Sequence, residues 1–305
     1  MIKLEKAKKV FPGSTVPAVD EISFSIEKGN ICVFVGPSGC GKTTILRMIN
    51  RLVEPTSGTI YIDGENVMGM DSDLLRRRIG YVIQQIGLLP HRTIEQNIGL
   101  VPRLLGWPES KIEDRVMELL DIVGLDTKET PQKYPYQLSG GQMQRAGVAR
   151  ALAADPPIML MDEPFGAVDP IIRGRLQDEF LRLQQAVKKT ICFVTHDINE
   201  ALKMGDYLVV MYAGQLVQRG TPMEVLSEPA NEFVSSLIGD DRGVKLLDLT
   251  RVESLMDNKG LLTDDMKNCS CHIDAVQPVK IALEAMMKND TDLVGIRRRS
   301  EEHTS

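Results

Sequence analysis

Residues 22–26 alternate apolar and polar side chains, with Ile22, Phe24 and Ile26 on one face, the period of two that a half-buried strand requires. Residues 31–35 are apolar throughout and end at Gly36. A run so short and continuous predicts a strand covered on both faces, as in a parallel or mixed sheet. A helical pattern follows over about 42–52 until Pro55, Ser57 and Gly58 break it, and a strand returns over 59–63. From about 87 to 152 the chain reads mainly as helix and loop. Residues 158–161 and 191–194 give two more apolar runs, separated by a long amphipathic stretch over roughly 171–187. Segments 207–211 and 215–218 flank Ala213 and Gly214 and predict a hairpin. Strands alternating with helices around a helical interruption predict an α/β core carrying a helical insertion. Between Gly239 and Gly243 the chain turns polar and reads as a linker. The expected organisation is one domain over 1–240, a linker over 241–250 and an appendage over 251–305.

Composition removes several alternatives. The chain has 305 residues, 43% apolar and 26% charged, enough for a real core. A net charge of −6 gives no basic field to draw nucleic acid, and the short clusters at 6–9, 76–78 and 297–299 read as solvated surface. Of the five cysteines, Cys32 and Cys192 lie in apolar runs and predict buried thiols, while Cys269 and Cys271 lack a second ligand pair for zinc. An odd number of cysteines fits a reducing cytosol. The lysine-rich start does not read as a secretory leader, and no window reaches the ~18 apolar residues of a membrane span. Work at a membrane would therefore go through partners.

The chemistry begins at Gly36, Pro37, Ser38, Gly39, Cys40, Gly41, Lys42 and Thr43, which fit the pattern G-x-x-x-x-G-K-[ST], with Thr44 next in line. A predicted strand runs in and a helix runs out. Glycines let successive N–H groups face an anion, and the helix N-terminus adds a favourable partial charge. Lys42 would reach the β- and γ-phosphates of a nucleotide such as ATP, and the Thr43 hydroxyl would ligate magnesium. Asp162 and Glu163 follow the apolar run 158–161, at the strand end where open α/β sheets bind ligands. Asp162 would hold magnesium, and Glu163 would act as general base on the attacking water.

Leu138, Ser139, Gly140, Gly141, Gln142, Met143, Gln144 and Arg145 form the most discriminating string. It resembles the signature of ABC ATPases and lies where they carry it, between phosphate loop and acidic strand. The resemblance implies a P-loop NTPase core of the ABC type, with an antiparallel β subdomain and a helical subdomain. It also implies that Ser139, Gly140, Gly141 and Gln142 cap the nucleotide of a second copy, so that two chains form a head-to-tail homodimer. Further positions match in order. Phe11 stands where the family stacks a ring on adenine, often Tyr. Gln84 matches the glutamine near magnesium and water, with Gln85 as an adjacent alternative. Ala167, Val168 and Asp169 match the loop linking the two sites, with Val168 where Leu is commoner. His196 matches the histidine on the γ-phosphate.

Within the family, one nucleotide domain without fused spans fits an importer better than an exporter or a non-transport ATPase. Residues 79–92 and 100–107 resemble the ATPases of importers for glycine betaine, carnitine or choline, as do the segments around 153–156 and 229–233. That likeness implies permease subunits, an external substrate-binding protein, and a place at the cytoplasmic face of the membrane. Leu88, Leu89, Pro90 and His91 are either permease contacts or ordinary packing; Trp107 reads as packing. Residues 276–288 and 292–296 resemble the start of a CBS module, a partial α/β tail that would expose an apolar face. Residues 299–305 have the look of a translated sequencing adapter.

Overall fold

The computed structural model describes residues 1–83, 87–166, 169–255, 272–289 and 295–297. The chain divides into two compact units, Met1–Thr221 and Pro222–Ser305.

The first unit opens with β1 (Ile2–Lys9) and β2 (Val19–Ile26), followed by β3 (Ile31–Val35) and helix α1 (Lys42–Ile49). β4 (Ser57–Ile62) and the short β5 (Glu65–Asn66) complete an antiparallel sheet in the order β2-β1-β4-β5. Helix α2 (Ser72–Arg77), capped by Asp71, leads into β6 (Ile79–Val82). The helical insertion holds α3 (Ile94–Ile98), α4 (Leu100–Leu104), α5 (Glu109–Ile122) and α6 (Gly140–Leu152). The chain then returns to alternation: β7 (Ile158–Asp162), α7 (Pro170–Val187), β8 (Thr190–Thr195), α8 (Ile198–Met204), β9 (Tyr207–Tyr212) and β10 (Gln215–Gly220). The second sheet runs β10-β9-β3-β8-β7-β6 and is parallel apart from β10. Phe24 of the antiparallel sheet meets Phe34 of the parallel one edge-on at 5.5 Å, inside a core that also joins Leu4 and Ile60 to Val209 and Met211.

Register decides what the core presents. Val35 pairs with Thr195, Asp162 with Val194, and Val82 with Met161. The carboxyl ends of β3, β8, β7 and β6 therefore stand side by side. Cys32 and Cys192 are buried and paired in register, as their apolar runs predict, and burial pushes the Cys32 thiol up to about 12.

Three departures from the sequence reading have clear causes. β1, read only as a basic cluster, is a central strand: Ile2, Leu4 and Ala7 are buried while the lysines reach solvent. Bulges at Lys6 and beyond break its alternation, which hid the period of two. The first helix stops at Ile49 rather than near 52, because Asn50 caps it and Arg51 turns left-handed at φ +49. Finally, the stretch 241–250, read as a linker, carries a helix, α11 (Arg242–Leu249).

The second unit holds α9 (Pro222–Ser227), α10 (Glu232–Ile238), α11, α12 (Val252–Leu255), β11 (His272–Asp274), α13 (Val279–Lys288) and β12 (Gly295–Arg297). Lys245 ties α11 to Asp241 at 2.7 Å, and Leu247 packs on a small core of Val252, Ile273, Val279 and Ala282. β11 and β12 pair in parallel across α13, a β-α-β unit, and Ile281, Leu283 and Met287 on α13 remain exposed.

Candidate functional site

Pro37, Ser38 and Gly39 form an exposed crest after β3, above buried Gly36, Cys40 and Gly41. Gly36 has φ +152 and Gly41 φ +106; a Cβ on either would stand 2.2 Å from a backbone oxygen, of Met211 or of Ala18. Only glycine fits a bend that close. A glycine curl feeding a helix presents N–H groups and the positive end of the helix dipole to an anion. Lys42 is 5% exposed, and its ammonium donates to the carbonyl oxygens of Gly36 (2.7 Å) and Pro37 (2.8 Å). Thr43 and Thr44 follow, half-buried, on the first turn of α1.

Thr43 Oγ1 donates to Asp162 Oδ1 at 2.8 Å. Burial lifts the Asp162 carboxyl above its usual range; the Thr43 hydrogen bond opposes this, and the adjacent Glu163 charge adds to it. Among the described residues no group of three or more His, Cys, Asp and Glu side chains is arranged to hold a metal. The Thr43 hydroxyl and Asp162 carboxylate nevertheless make an all-oxygen pair. That donor set fits magnesium, which takes few protein ligands and completes its shell with phosphate and water.

Glu163 leaves β7 with φ +48, a left-handed backbone few non-glycine residues adopt, and its amide donates to Val194 O at 3.0 Å. Strain of this kind costs on the order of 1 kcal/mol and collects at functional sites. The turn brings Glu163 Oε1 to 3.4 Å from Nδ1 of His196, which follows β8. Phosphate loop, Asp162, Glu163 and His196 thus share one end of the sheet.

Ser139 is carried elsewhere, on the insertion. Its Oγ accepts from the Gln142 amide (3.3 Å) and its own amide donates to Gln142 Oε1 (2.9 Å), a reciprocal cap on α6. Gly140 and Gly141 then begin a helix whose first-turn amides have no carbonyl four residues back. α6 packs on α3, α5 and β6, whereas α1 packs on β7 and β8. Phe11 is exposed, with the Lys9 ammonium 5.3 Å from its ring centroid. Its loop is tied at the base by the Ala18 amide to Lys9 O (2.8 Å), beside Gly41. Asp169 is exposed directly before α7. Gln84, Gln85, Ala167 and Val168 lie outside the described residues, as do Cys269, Cys271 and 299–305. Leu88 and Leu89 are half-buried, Pro90 and His91 exposed, and buried Asn97 bonds the Leu89 backbone through both ends of its amide. Trp107 carries the Lys111 ammonium 4.0 Å from its ring centroid.

Sequence reasoning missed a polar cluster behind His196: Thr195, Glu200, Arg173 and Gln177. One signal was available. Asp197 and Glu200 have capping-box spacing at the start of α8. Asp197 does cap, but Glu200 turns inward to Thr195 instead of reciprocating.

The model of the ABC transporter family matches residues 19–166. The glycine betaine/carnitine/choline transport ATP-binding protein OpuCA of Bacillus subtilis is 53% identical over 282 residues, 92% of this chain and 74% of that protein. The osmoprotectant import ATP-binding protein OsmV of Salmonella typhimurium is 53% identical over 86% of this chain and 70% of its own length. Among solved structures, a dimeric ATP-binding cassette in a post-hydrolysis state with ADP and phosphate superposes with a TM-score of 0.67. It is 33% identical over 73% of this chain and 99% of that one. Half-identity to transport ATPases over most of its length, on this fold, makes the chain a member of the ABC transporter ATP-binding proteins, in the osmoprotectant-importer group, with ATP hydrolysis coupled to transport.

Proposed function

We propose that this chain powers uptake of quaternary ammonium osmoprotectants such as glycine betaine, carnitine or choline, as a head-to-tail homodimer beneath permease subunits. The observation that carries the chemistry is the convergence of Lys42, Asp162, Glu163 and His196 on neighbouring strand ends. In this reading Lys42 exchanges its two loop carbonyls for phosphoryl oxygens. Thr43 and Asp162, with Gln84 by resemblance, would hold magnesium, whose charge would offset that developing on the phosphates. Glu163 accepts a hydrogen bond from the attacking water and takes up its proton; His196, within reach of Glu163, orients toward the γ-phosphate.

Phe11, with an exposed ring, stacks on adenine. Ser139, Gly140, Gly141 and Gln142 cap the nucleotide held by the second copy, and their position on the insertion, at the free end of α6, supports that role. Asp169 links the two sites. Residues 1–240 act as the motor, and the β-α-β unit after 251 is consistent with a partial CBS-like tail. Among the described residues no helix is long and apolar enough to cross a membrane. Attachment to its cytoplasmic face would run through the permease, and the external binding protein would act indirectly. Cargo rests on the named relatives.

Purified chain should turn over ATP with magnesium, and Glu163→Gln should lose at least about a hundredfold in kcat. Wild-type-like turnover in that variant removes Glu163 from its role. Deleting the chain should abolish uptake of labelled glycine betaine; uptake left intact overturns the cargo.

A further inference from the structure

His196 presents a difficulty that the rest of the site does not. Its side chain is 59% exposed, and its Nδ1 approaches Glu163 Oε1 at 3.4 Å. A side chain so lightly held must be placed through its backbone. The backbone on either side is indeed clamped. Thr195 Oγ1 accepts from the Asp197 amide at 3.0 Å, so one hydroxyl closes the turn around His196. The same hydroxyl donates to Glu200 Oε2 at 2.6 Å, which fixes its rotamer. Glu200 is 6% exposed and stands on the first turn of α8, whose N-terminus Asp197 caps.

The other oxygen of Glu200 faces α7. Gln177 Nε2 donates to Oε1 at 3.2 Å, and Arg173 Nε lies 3.7 Å from it. Arg173 also reaches Asp197 Oδ2 at 3.7 Å. Residues 173 and 177 are four apart and share a helix face one turn beyond Asp169. A single buried carboxylate therefore joins the His196 turn to α7, the helix that begins directly after Asp169.

We infer that Glu200 is a positioning residue: through Thr195 it sets the His196 backbone, and through Gln177 and Arg173 it couples that setting to α7. This rests on the reading of Glu163 and His196 as the hydrolytic pair. A carboxylate is suited to the task because its two oxygens accept from two elements at once, and burial makes both bonds count. A small displacement of a reacting group costs rate rather than ground-state binding.

The test uses the full chain, with steady-state ATP turnover, KM for ATP and melting temperature measured together. Glu200→Gln and Thr195→Val should each lower kcat roughly tenfold to a hundredfold with KM within about twofold. Thr195→Ser, which keeps the hydroxyl, should recover most of the rate. Gln177→Met, similar in volume, should lower kcat in the same sense. Unchanged kcat in Glu200→Gln, or Thr195→Ser as slow as Thr195→Val, overturns the inference. So does a fall in kcat that only tracks a fall in melting temperature. If Glu200→Gln does not fold, the two Thr195 variants decide. Turnover absent from the unmutated chain would sink the hydrolytic reading itself, and this inference with it.

Discussion

At the residue scale, two positions show how the site sets stability against use. Asp162 is a carboxyl partly withdrawn from water beside Thr43, and burial raises its pKa. A raised carboxyl pKa means the native state binds the proton more tightly than the unfolded chain. Stability then falls as pH rises from the ordinary carboxyl range through the raised value, and levels off above it. Asp162→Asn removes that fall while its side-chain oxygen can still accept from Thr43. Its melting temperature should exceed wild type by roughly 2–4 °C at neutral pH and converge with it in acid, with MgATP turnover lost. Calorimetry across pH 3.5–7.5 checks the sign. Gly41→Ala is the opposite case. The added Cβ would meet Ala18 O at 2.2 Å on a φ of +106, and no flexible side chain can yield there. The variant should lose several degrees of melting temperature and bind ATP much more weakly, as fluorescent-nucleotide titration would report.

At the scale of elements, α6 separates folding from function. Ser139→Ala removes the Oγ that caps the helix and should cost about 1 kcal/mol in denaturant unfolding. Gly141→Ala behaves differently. A Cβ there meets nothing within 4 Å, and alanine favours helix over glycine. The lone chain should be unchanged or more stable by up to about 1 kcal/mol, yet turn over ATP more slowly, because the added methyl stands where a second copy's nucleotide would press. A slower enzyme in a more stable chain is hard to attribute to damaged folding.

At the scale of the whole molecule, the two halves of the chemistry sit on different parts of the first unit. The phosphate loop belongs to the parallel sheet, and the Ser139 turn belongs to the insertion. Two copies facing head to tail would complete both sites at once. Glu163→Gln with MgATP should therefore run as a dimer in size-exclusion chromatography with light scattering, and as a monomer without nucleotide. A monomer under both conditions would count against the paired arrangement.

Much of this was legible along the chain because it is local. A phosphate loop must pack its glycines, lysine and threonine into consecutive positions, since a backbone curl and the helix after it are made by neighbours; 36–44 could be read for that reason. The buried strands 31–35, 158–162 and 190–195 declared themselves by continuous apolar runs. β1 did not, because bulges and lysines masked a pattern that only its pairing with β2 and β4 completes. The sequence by itself determined the fold family and the glycine, lysine and threonine loop at 36–44. Tertiary structure alone decided the rest: which strand ends stand together, that Glu163 turns left-handed toward His196, and that a buried Glu200 bonds Gln177, 23 positions away in the chain. Contacts of that length depend on sheet register and helix packing, which no window of neighbouring residues encodes.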